Sequence, residues 1–517
     1  MSPGLPRTFG AFFGRFAGLN VVQRDVIPVI LDGRSAVVVA PTASGKTEAA
    51  VAPLVERWVP PDSDALLVLY VVPTRALVND LRRRLEAPLA ALRVRLAAKT
   101  GEVMTLSARE SSGILVTTPE SLDSLLCRRA ALFGALRAVV LDEVHLLDGT
   151  YRGDQLRILL SRLESLTPGP LQRVVLSATV ADAEGLGQRY APGATVIRTG
   201  EARPIALETA PSREAVVARL RESGRLKALW FCDSRAQVEK VAEELAAVWP
   251  RNRVAVHHGS LSQRERHDAE AALREWTWGI CVATTTLEVG IDIGDVDAVV
   301  LEAPPLTVSA FVQRVGRGGR REDRATAVGL CLGEDDARSF EVLAELAARG
   351  ELEVVGAPPD LSVCVQQVLS ALFGAPSGLP PTQLEAWLEP LASRAVLGAI
   401  LDHLEREDYV VRARGKLMAS TRTMDLGEKG RVHSNIPDGR ESQVVDAATG
   451  RTLGRSLTGV QAGDTVVFAG AARRVLSIGG GRVVLGGGGG AEPGARPAFA
   501  RRRERGGFAW LLPEALR

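Results

Sequence analysis

The sequence predicts an α/β protein with two consecutive parallel-sheet units, followed by a helical segment and a small β unit. Three observations predict this fold: short runs rich in valine and leucine, amphipathic stretches between them, and a repeat of the whole pattern. Short apolar runs without period-2 alternation are typical of strands buried on both faces of a parallel sheet. The runs of the first unit are residues 35–40, 65–73, 113–119, 136–145, 172–179 and 195–200, and those of the second unit are 227–233, 253–258, 279–284, 296–302 and 326–332.

The stretches between these runs have helical periodicity. Leucines recur at every fourth residue from Leu77 to Leu89, which places them on one face of a helix. Buried strands that alternate with such helices predict α/β domains. We therefore expect a first domain at residues 1–203 and a second domain at residues 204–350.

Beyond residue 358 the pattern changes. Residues 384–391 and 395–407 have helical periodicity, and two short strands at 409–412 and 416–419 flank an Arg-Gly turn. Helices followed by a small β-hairpin predict a winged-helix domain, which we assign to residues 358–425.

Residues 426–517 are expected to form a small β-barrel-like domain with a Gly/Arg-rich tail, because short strands alternate there with glycine turns. The tail contains a glycine run that ends at residue 490 and three arginines at 501–503, a composition typical of a flexible linker. The apolar segment 508–512 is expected to dock back onto the protein.

The composition of the 517-residue chain excludes several classes of protein. Apolar residues make up 46% and charged residues 24%, which argues against a disordered or fibrous chain. The 63 basic and 61 acidic side chains nearly cancel. Any nucleic-acid-binding surface is therefore expected to be a local feature.

The cysteines and the terminal residues indicate a compartment. Five cysteines lie far apart without a Cys-x-x-Cys pair, which argues against a zinc module or a disulfide framework and fits a reducing environment. No apolar run approaches the roughly 20 residues that span a bilayer. The first ten residues have no signal-peptide pattern. We expect a soluble cytoplasmic protein that does not bind a membrane.

Residues 40–47 read Ala-Pro-Thr-Ala-Ser-Gly-Lys-Thr and stand between the first strand and a helix. This context is typical of a phosphate-binding loop, in which backbone N–H groups at the helix start bind an anion. Lys46 is expected to reach the β- and γ-phosphates of ATP, and the Thr47 hydroxyl to hold Mg²⁺. Ala40 stands where the general pattern has its first glycine. The candidate nucleotide-binding residues of the loop are Thr42, Ser44, Gly45, Lys46 and Thr47.

A hydrophobic strand further along the chain ends in Asp142-Glu143-Val144-His145. A carboxylate at such a strand end can complete the shell of an ATP-bound Mg²⁺, here Asp142 together with Thr47. The adjacent Glu143 can orient and deprotonate the attacking water. A buried acidic pair without a cation would be costly, which favours the metal-nucleotide interpretation.

These two motifs, together with others in a fixed order, resemble superfamily 2 helicases of the DExH type. The resemblance implies two tandem RecA-like parallel-sheet domains, to which the winged-helix domain and the small C-terminal β domain are added. Gln23 is similar to the upstream glutamine that reads adenine. The other matching segments are 73–77 (motif Ia), 118–121 (Ib), 177–179 (III), 231–235 (IV), 283–294 (V) and 313–320 (VI).

The resemblance also implies roles for individual residues. Arg317 and Arg320 are the candidate arginine fingers, and Gln313 and His145 are expected to sense closure of the cleft between the two domains. The implied catalytic set is Lys46, Asp142, Glu143, His145, Gln313, Arg317 and Arg320. Gly290 and Asp292 join Gln23 in nucleotide binding. Coupling is implied for Ser177, Ala178 and Thr179, and nucleic-acid contacts for Thr74, Arg75, Thr118, Pro119, Glu120, Ser234, Arg235, His258, Thr284 and Thr285.

Within this superfamily the sequence is similar to the large-helicase-related (Lhr) group. Residues 257–262, 287–294 and 445–454 carry that similarity, whereas members of the group have a longer C-terminal region. The group implies 3′-to-5′ movement along single-stranded DNA driven by ATP, unwinding of duplexes or RNA–DNA hybrids, and a link to DNA repair.

Other functions stay open at this point. A nucleic-acid-stimulated ATPase of the defence type could remodel or translocate without strand separation, and the substrate could be RNA rather than DNA. A non-enzymatic nucleic-acid-binding scaffold is a further alternative, but the intact Lys46, Asp142, Glu143 and Arg317 argue against it.

Overall fold

The structure, a computed structural model of the 517-residue chain, describes most of its length in two compact units. The first unit comprises residues 1–201, 354–438 and 503–517, and the second comprises 202–353 and 439–502. Each unit combines one α/β part with an accessory segment from further along the chain. The described residues are 4–41, 44–101, 113–178, 180–199, 203–288, 294–319, 324–352, 358–436, 442–455, 460–468, 471–479, 481–489 and 506–517.

The α/β part of the first unit alternates strands with helices. Its helices are α1 (Phe9–Phe13), α2 (Val21–Leu31), α3 (Lys46–Trp58), α4 (Arg75–Ala91), α5 (Pro119–Arg128), α6 (Tyr151–Glu164) and α7 (Ala183–Tyr190). Its strands are β1 (Ala36–Val39), β2 (Val68–Val71), β3 (Leu96–Lys99), β4 (Ile114–Thr117), β5 (Ala138–Leu141), β6 (Gln172–Ser177) and β7 (Thr195–Arg198).

These strands form one sheet in the order β3-β4-β2-β5-β6-β1-β7, and all described neighbours run parallel. The central strands β2, β4, β5 and β6 are buried along their whole length, which explains their continuous apolar runs. The carboxyl ends of parallel strands meet at one edge of a sheet. That edge therefore carries the predicted motifs after β1, β2, β4, β5 and β6.

The α/β part of the second unit repeats this architecture. Its helices are α8 (Arg213–Glu222), α9 (Arg235–Val248), α10 (Gln263–Glu275), α11 (Val308–Val315) and α12 (Glu334–Arg349). Its strands are β8 (Ile205–Ala210), β9 (Lys227–Phe231), β10 (Val254–His257), β11 (Gly279–Ala283), β12 (Ala298–Leu301) and β13 (Ala325–Leu330). They pair in parallel in the order β10-β11-β9-β12-β13-β8.

The accessory segment of the first unit is mainly helical. It contains α13 (Ser362–Phe373), α14 (Pro381–Leu388), α15 (Arg394–Arg406), the hairpin β14 (Val410–Ala413) and β15 (Lys416–Ala419), and α16 (Thr421–Glu428). Arg414 and Gly415 both have positive φ, as a tight type I′ hairpin turn requires. Helix α13 packs against α5 and α6, so this segment is built onto the α/β part.

The structure confirms one prediction about the C-terminal third of the chain and contradicts another. Phe508, Leu511 and Leu512 are buried in the core of the helical accessory segment, which confirms that this apolar stretch docks back. The predicted start of the β domain at residue 426 is wrong, because it falls inside α16. This helix packs against α13, and the residues up to 438 belong to the first unit.

The accessory segment of the second unit is a small mixed sheet. Its strands are β16 (Gln443–Asp446), β17 (Thr452–Arg455), β18 (Thr465–Phe468), β19 (Ala471–Gly479) and β20 (Arg482–Gly489), in the order β17-β16-β20-β19-β18. Leu261 of the α/β part is buried in its core beside Phe468. The N–H of Ser262 donates to the carbonyl oxygen of Leu453 at 2.8 Å, so the sheet fixes the loop before α10. Among the described residues, none of the helices is both long and apolar enough to cross a membrane.

Candidate active site

The loop between β1 and α3 forms the candidate phosphate site. Gly45 has φ +79°, and a Cβ added there would lie 2.6 Å from Gln23 Nε2, so glycine is required at this position. The Lys46 ammonium is buried and donates to the carbonyl oxygens of Ala40 and Pro41, the latter at 3.0 Å. Ser44 Oγ is buried and has no hydrogen-bond partner in the described part of the chain. Thr42 lies outside the described residues.

Gln23 is buried beside this loop as part of a capping box at the start of α2. Its backbone N–H donates to Asn20 Oδ1 at 2.9 Å, and its Oε1 accepts from the Asn20 N–H at 3.0 Å. Asn20 Nδ2 donates to the Ser44 carbonyl oxygen at 2.9 Å and so fastens α2 to the phosphate loop. Sequence reasoning missed Asn20, although Asn-x-x-Gln before an apolar run is the signal of a capping box.

Asp142 and Glu143 follow β5 at the carboxyl edge of the sheet. Asp142 Oδ1 accepts from the Glu143 N–H at 2.9 Å, and Oδ2 accepts from the Tyr70 hydroxyl at 2.6 Å. Burial and the neighbouring charge of Glu143 raise the pKa of Asp142, so a nearby cation would stabilise its ionised form.

The backbone of Glu143 is unusual for a residue with a side chain. Its φ is +49°, in the left-handed region, and such conformations cluster at functional sites. Glu143 Oε2 is buried and has no hydrogen-bond partner among the described residues; His145 Nε2 lies 3.6 Å away. A buried carboxylate oxygen without a partner is costly, which indicates that a ligand, a water or a metal-bound group belongs there.

His145 connects the ends of β5 and β6. Its Nδ1 lies 3.0 Å from Ser177 Oγ. Burial and the charge of Lys46 lower the pKa of His145 to about 3, so the imidazole is neutral near pH 7. A neutral ring can donate from one nitrogen and accept at the other, which suits a relay between the acidic motif and Ser177. Ala178 is also buried at this point, whereas Thr179 lies outside the described residues.

The residues at this edge fit a nucleotide with bound Mg²⁺. Asp142 and Thr47 offer the hard oxygen ligands that Mg²⁺ prefers. Lys46 and the start of α3 offer positive charge for phosphates. Ser44 Oγ and Glu143 Oε2 are buried without a hydrogen-bond partner among the described residues, so both can bond to polar groups of such a ligand.

Among the predicted nucleic-acid residues of the first unit, Thr74, Thr118 and Pro119 lie at helix starts. Glu120 forms a salt bridge. The Thr74 hydroxyl accepts from the Leu77 N–H at 3.3 Å at the start of α4, and Arg75 beside it is exposed. Thr118 and Pro119 start α5.

Glu120 is bound by Arg152, whose Nε lies 2.6 Å from Glu120 Oε1. Burial alone would raise the pKa of Glu120, but Arg152 holds it below its ordinary value. Arg152 Nη2 also donates to the Pro73 carbonyl oxygen. Arg152 therefore ties the loops after β2 and β4 together, a role that sequence reasoning missed because its partners lie 79 and 32 residues away.

The predicted nucleic-acid residues of the second unit range from exposed to fully buried. Ser234 caps α9 by accepting from the Gln237 N–H at 3.2 Å, and Arg235 donates to Ser260 Oγ. His258 is fully buried, with its Nε2 2.7 Å from Glu239 Oε1. The ring therefore anchors the loop after β10, and a nucleic-acid contact of His258 stays a prediction. Thr284 is buried as well, and Thr285 is exposed.

Two arginines of the motif at residues 313–320, Arg314 and Arg317, bond to groups of the second unit. Arg314 Nε lies 3.3 Å from Glu288 Oε2, and its Nη1 lies 3.0 Å from Asp233 Oδ1. Arg317 is 2% exposed and donates from Nη2 to the Glu288 carbonyl oxygen at 2.8 Å. Glu288, which sequence reasoning did not single out, thus contacts both arginines. Gln313 is buried on α11, and the predicted Arg320, Gly290 and Asp292 lie outside the described residues.

Known families match the two α/β parts. The DEAD/DEAH box helicase family matches residues 20–185, and the helicase conserved C-terminal domain matches residues 212–322. The ATP-dependent helicase Lhr-Core protein 2 of Thermococcus barophilus is 32% identical over 409 residues, covering 69% of this chain and 47% of the relative. The Lhr helicase/uracil glycosylase of Escherichia coli is 27% identical, covering 84% of this chain and 36% of the relative. The chain thus spans about half or less of the length of these relatives.

Solved structures give the same result. The Mycobacterium smegmatis helicase Lhr bound to ssDNA and AMP-PNP matches with a TM-score of 0.74 and 27% identity, covering 84% of this chain and 62% of that chain. The DUF1998 helicase MrfA, at 20% identity and a TM-score of 0.75, supports the fold alone. The α/β fold with two tandem RecA-like domains is confirmed, while the winged-helix and small β assignments stay predictions. Together with the order of the motifs, these similarities show that the chain belongs to the DEAD/DEAH-box helicases of superfamily 2, in the Lhr-like group.

Proposed function

We propose that the chain is an ATP-dependent translocase and helicase that moves along single-stranded nucleic acid. The buried, unpartnered Glu143 Oε2 beside Asp142 carries this proposal. A structural acidic pair would have its oxygens satisfied by protein groups, whereas a hydrolytic site needs one carboxylate oxygen free to accept a proton from water.

The hydrolytic step follows from the residues at the sheet edge. Lys46 and the start of α3 bind the phosphates, and Thr47 and Asp142 hold the bound Mg²⁺. Mg²⁺ supplies neutralisation of the charge on the β- and γ-phosphates. Glu143 orients the attacking water and accepts its proton. The neutral His145 transmits the state of this site to Ser177 through their contact at 3.0 Å.

Cations from the second unit complete the site in this proposal. Arg317 and Arg320 stabilise the transition-state charge when the two units close on the nucleotide. Arg317 first has to leave the Glu288 carbonyl oxygen that it binds within its own unit. Closure with ATP and opening after hydrolysis would alternate the grip on the strand, through the loops that contain Thr74, Arg75, Thr118 and Thr285.

The preferred substrate in this proposal is single-stranded DNA, traversed 3′-to-5′, with unwinding of duplexes or RNA–DNA hybrids. The support for DNA is that the similar Mycobacterium smegmatis helicase is described as bound to ssDNA. A role in DNA repair extends the same proposal to the cell. It predicts that cells without the gene are more sensitive to DNA damage.

The test compares ATP hydrolysis with single-stranded DNA, duplex DNA, RNA and RNA–DNA hybrid in parallel, followed by strand displacement on 3′- and 5′-tailed duplexes. We expect single-stranded DNA to stimulate hydrolysis and only the 3′-tailed duplex to be separated. Glu143→Gln should bind ATP without hydrolysing it. Near-normal turnover in this variant would refute the assigned base. Stimulation without strand displacement would favour the remodelling ATPase, and stimulation by RNA alone would favour an RNA helicase.

A further inference from the structure

Tyr70 lies on β2 beneath the candidate phosphate site and has no exposed surface. Its neighbour in the sheet is Val140 on β5, two residues before Asp142. The Tyr70 hydroxyl donates to Asp142 Oδ2 at 2.6 Å. A buried phenol needs such a partner, but no motif requires that the partner be the candidate metal ligand.

The contact fixes the orientation of the Asp142 carboxylate. Within the described part of the chain, each of its oxygens accepts one hydrogen bond: Oδ2 from Tyr70 and Oδ1 from the Glu143 N–H. A carboxylate oxygen has two acceptor directions, so one direction on each oxygen remains for a cation or for its water. An ionised carboxylate can only accept, so the phenol is the donor in this contact.

We propose that Tyr70 is a positioning residue for the Mg²⁺–nucleotide site, because its hydroxyl orients the Asp142 carboxylate toward the cation. This inference rests on the proposed ATPase function. Outer partners of metal ligands typically change metal affinity by about 10–100-fold when they are removed. The effect should therefore appear in the metal dependence of nucleotide binding, before any hydrolysis takes place.

The experiment removes only the hydroxyl, with Tyr70→Phe, and measures binding of methylanthraniloyl-ATP by fluorescence. Mg²⁺ is titrated in one series and chelated with EDTA in the other. We expect half-maximal Mg²⁺-dependent binding to require about tenfold more Mg²⁺ than in the wild type. Affinity in EDTA should be unchanged, because Lys46 and the loop amides remain in place.

Tyr190→Phe is the matched control. Tyr190 is also fully buried in the first unit, and burial and the charge of a nearby carboxylate, Asp148, raise the pKa of its hydroxyl. This variant should keep the wild-type Mg²⁺ dependence. In thermal unfolding experiments, the Tyr70→Phe and Tyr190→Phe substitutions should lower the melting temperature by similar amounts.

Three outcomes would overturn the inference. These are an unchanged Mg²⁺ dependence in Tyr70→Phe, an equal shift in Tyr190→Phe, and unfolding of Tyr70→Phe alone, which would assign a structural role. In all of them the wild type would still bind the analogue with Mg²⁺. Failure of the wild type to bind it would instead overturn the proposed function together with this inference.

Discussion

The two α/β parts differ in the hydrogen-bond partners of their functional side chains. In the first unit, two buried oxygens of the candidate site, Ser44 Oγ and Glu143 Oε2, have no partner among the described residues. In the second unit, Arg314 and Arg317 are already bound by Glu288. A buried polar group without a partner costs about 1–3 kcal/mol, so the first site is prepared for a ligand that removes this cost.

The difference suggests a division of labour. The first unit can bind nucleotide without rearranging its own contacts, apart from the Lys46 ammonium, which has to leave the carbonyl oxygens of Ala40 and Pro41. In the proposed mechanism, Arg317 has to exchange its internal partner, the Glu288 carbonyl oxygen, for phosphate before it can act. Binding and hydrolysis are therefore expected to respond separately to substitutions in the two units.

The largest effect is expected from Lys46→Ala, which removes the cation of the first site. Hydrolysis should fall by at least about a hundredfold, because no other group replaces a charge placed against the β- and γ-phosphates. Phosphate release with saturating single-stranded DNA measures it. Lys240→Ala is the control, since Lys240 is an exposed lysine on α9 that pairs only with Glu244 at 3.9 Å. If Lys46→Ala hydrolysed ATP at more than a tenth of the wild-type rate, this would contradict the idea that the first site is prepared for a nucleotide.

A smaller effect, confined to one step, is expected from Arg317→Lys in the second unit. We expect kcat to fall by about tenfold to a hundredfold while binding of methylanthraniloyl-ATP stays unchanged. A lysine keeps the charge but lacks the planar fork that matches phosphate oxygens. Arg219→Lys, at a half-buried position on α8 where the side chain pairs with Glu208, controls for loss of a guanidinium. An equal loss of nucleotide binding in Arg317→Lys would remove the distinction between the two units.

Much of this fold could be predicted from the sequence because most strands are buried on both faces. Three strands were missed, β3, β8 and β17, and all three are sheet edges. Strand β8 has exposed residues in its middle, and β3 is a short Leu-Ala-Ala-Lys segment, so neither has a long β-branched run. Edge strands lack the burial that creates this signal.

The residues of the candidate site also differ in whether they could be predicted from the sequence. Lys46, Asp142 and Glu143 could be found because their motifs are local in sequence. Tyr70 and Glu288 could not, because their roles depend on partners 72 and 26–29 residues away. His258 shows the converse limit: its motif was visible, but its burial against Glu239 was not.

The smallest expected difference between the two units concerns the protonation of their buried histidines, His145 and His257. His145 in the first unit has a folded-state pKa of about 3, set by burial and Lys46, against about 6.5 when unfolded. His257 in the second unit is also buried and its pKa is lowered, but Glu270, with Oε1 3.2 Å from its Nε2, opposes that shift. The consequences of burying a neutral imidazole should therefore be larger in the first unit.

The sign follows from proton uptake. Below pH 6.5 the unfolded chain binds a proton at His145 that the folded chain excludes, so the free energy of unfolding falls as pH falls. The loss from His145 is about 1 kcal/mol between pH 6.5 and 5.5 and continues down to pH 3. In His145→Gln this loss should be absent, and denaturant unfolding of the first unit should depend less on pH than in the wild type. His257→Gln should change the pH dependence of the second unit by less. Equal changes in both variants would show that burial alone, rather than the charge of Lys46 and the lack of a compensating carboxylate, controls the histidine of the first site.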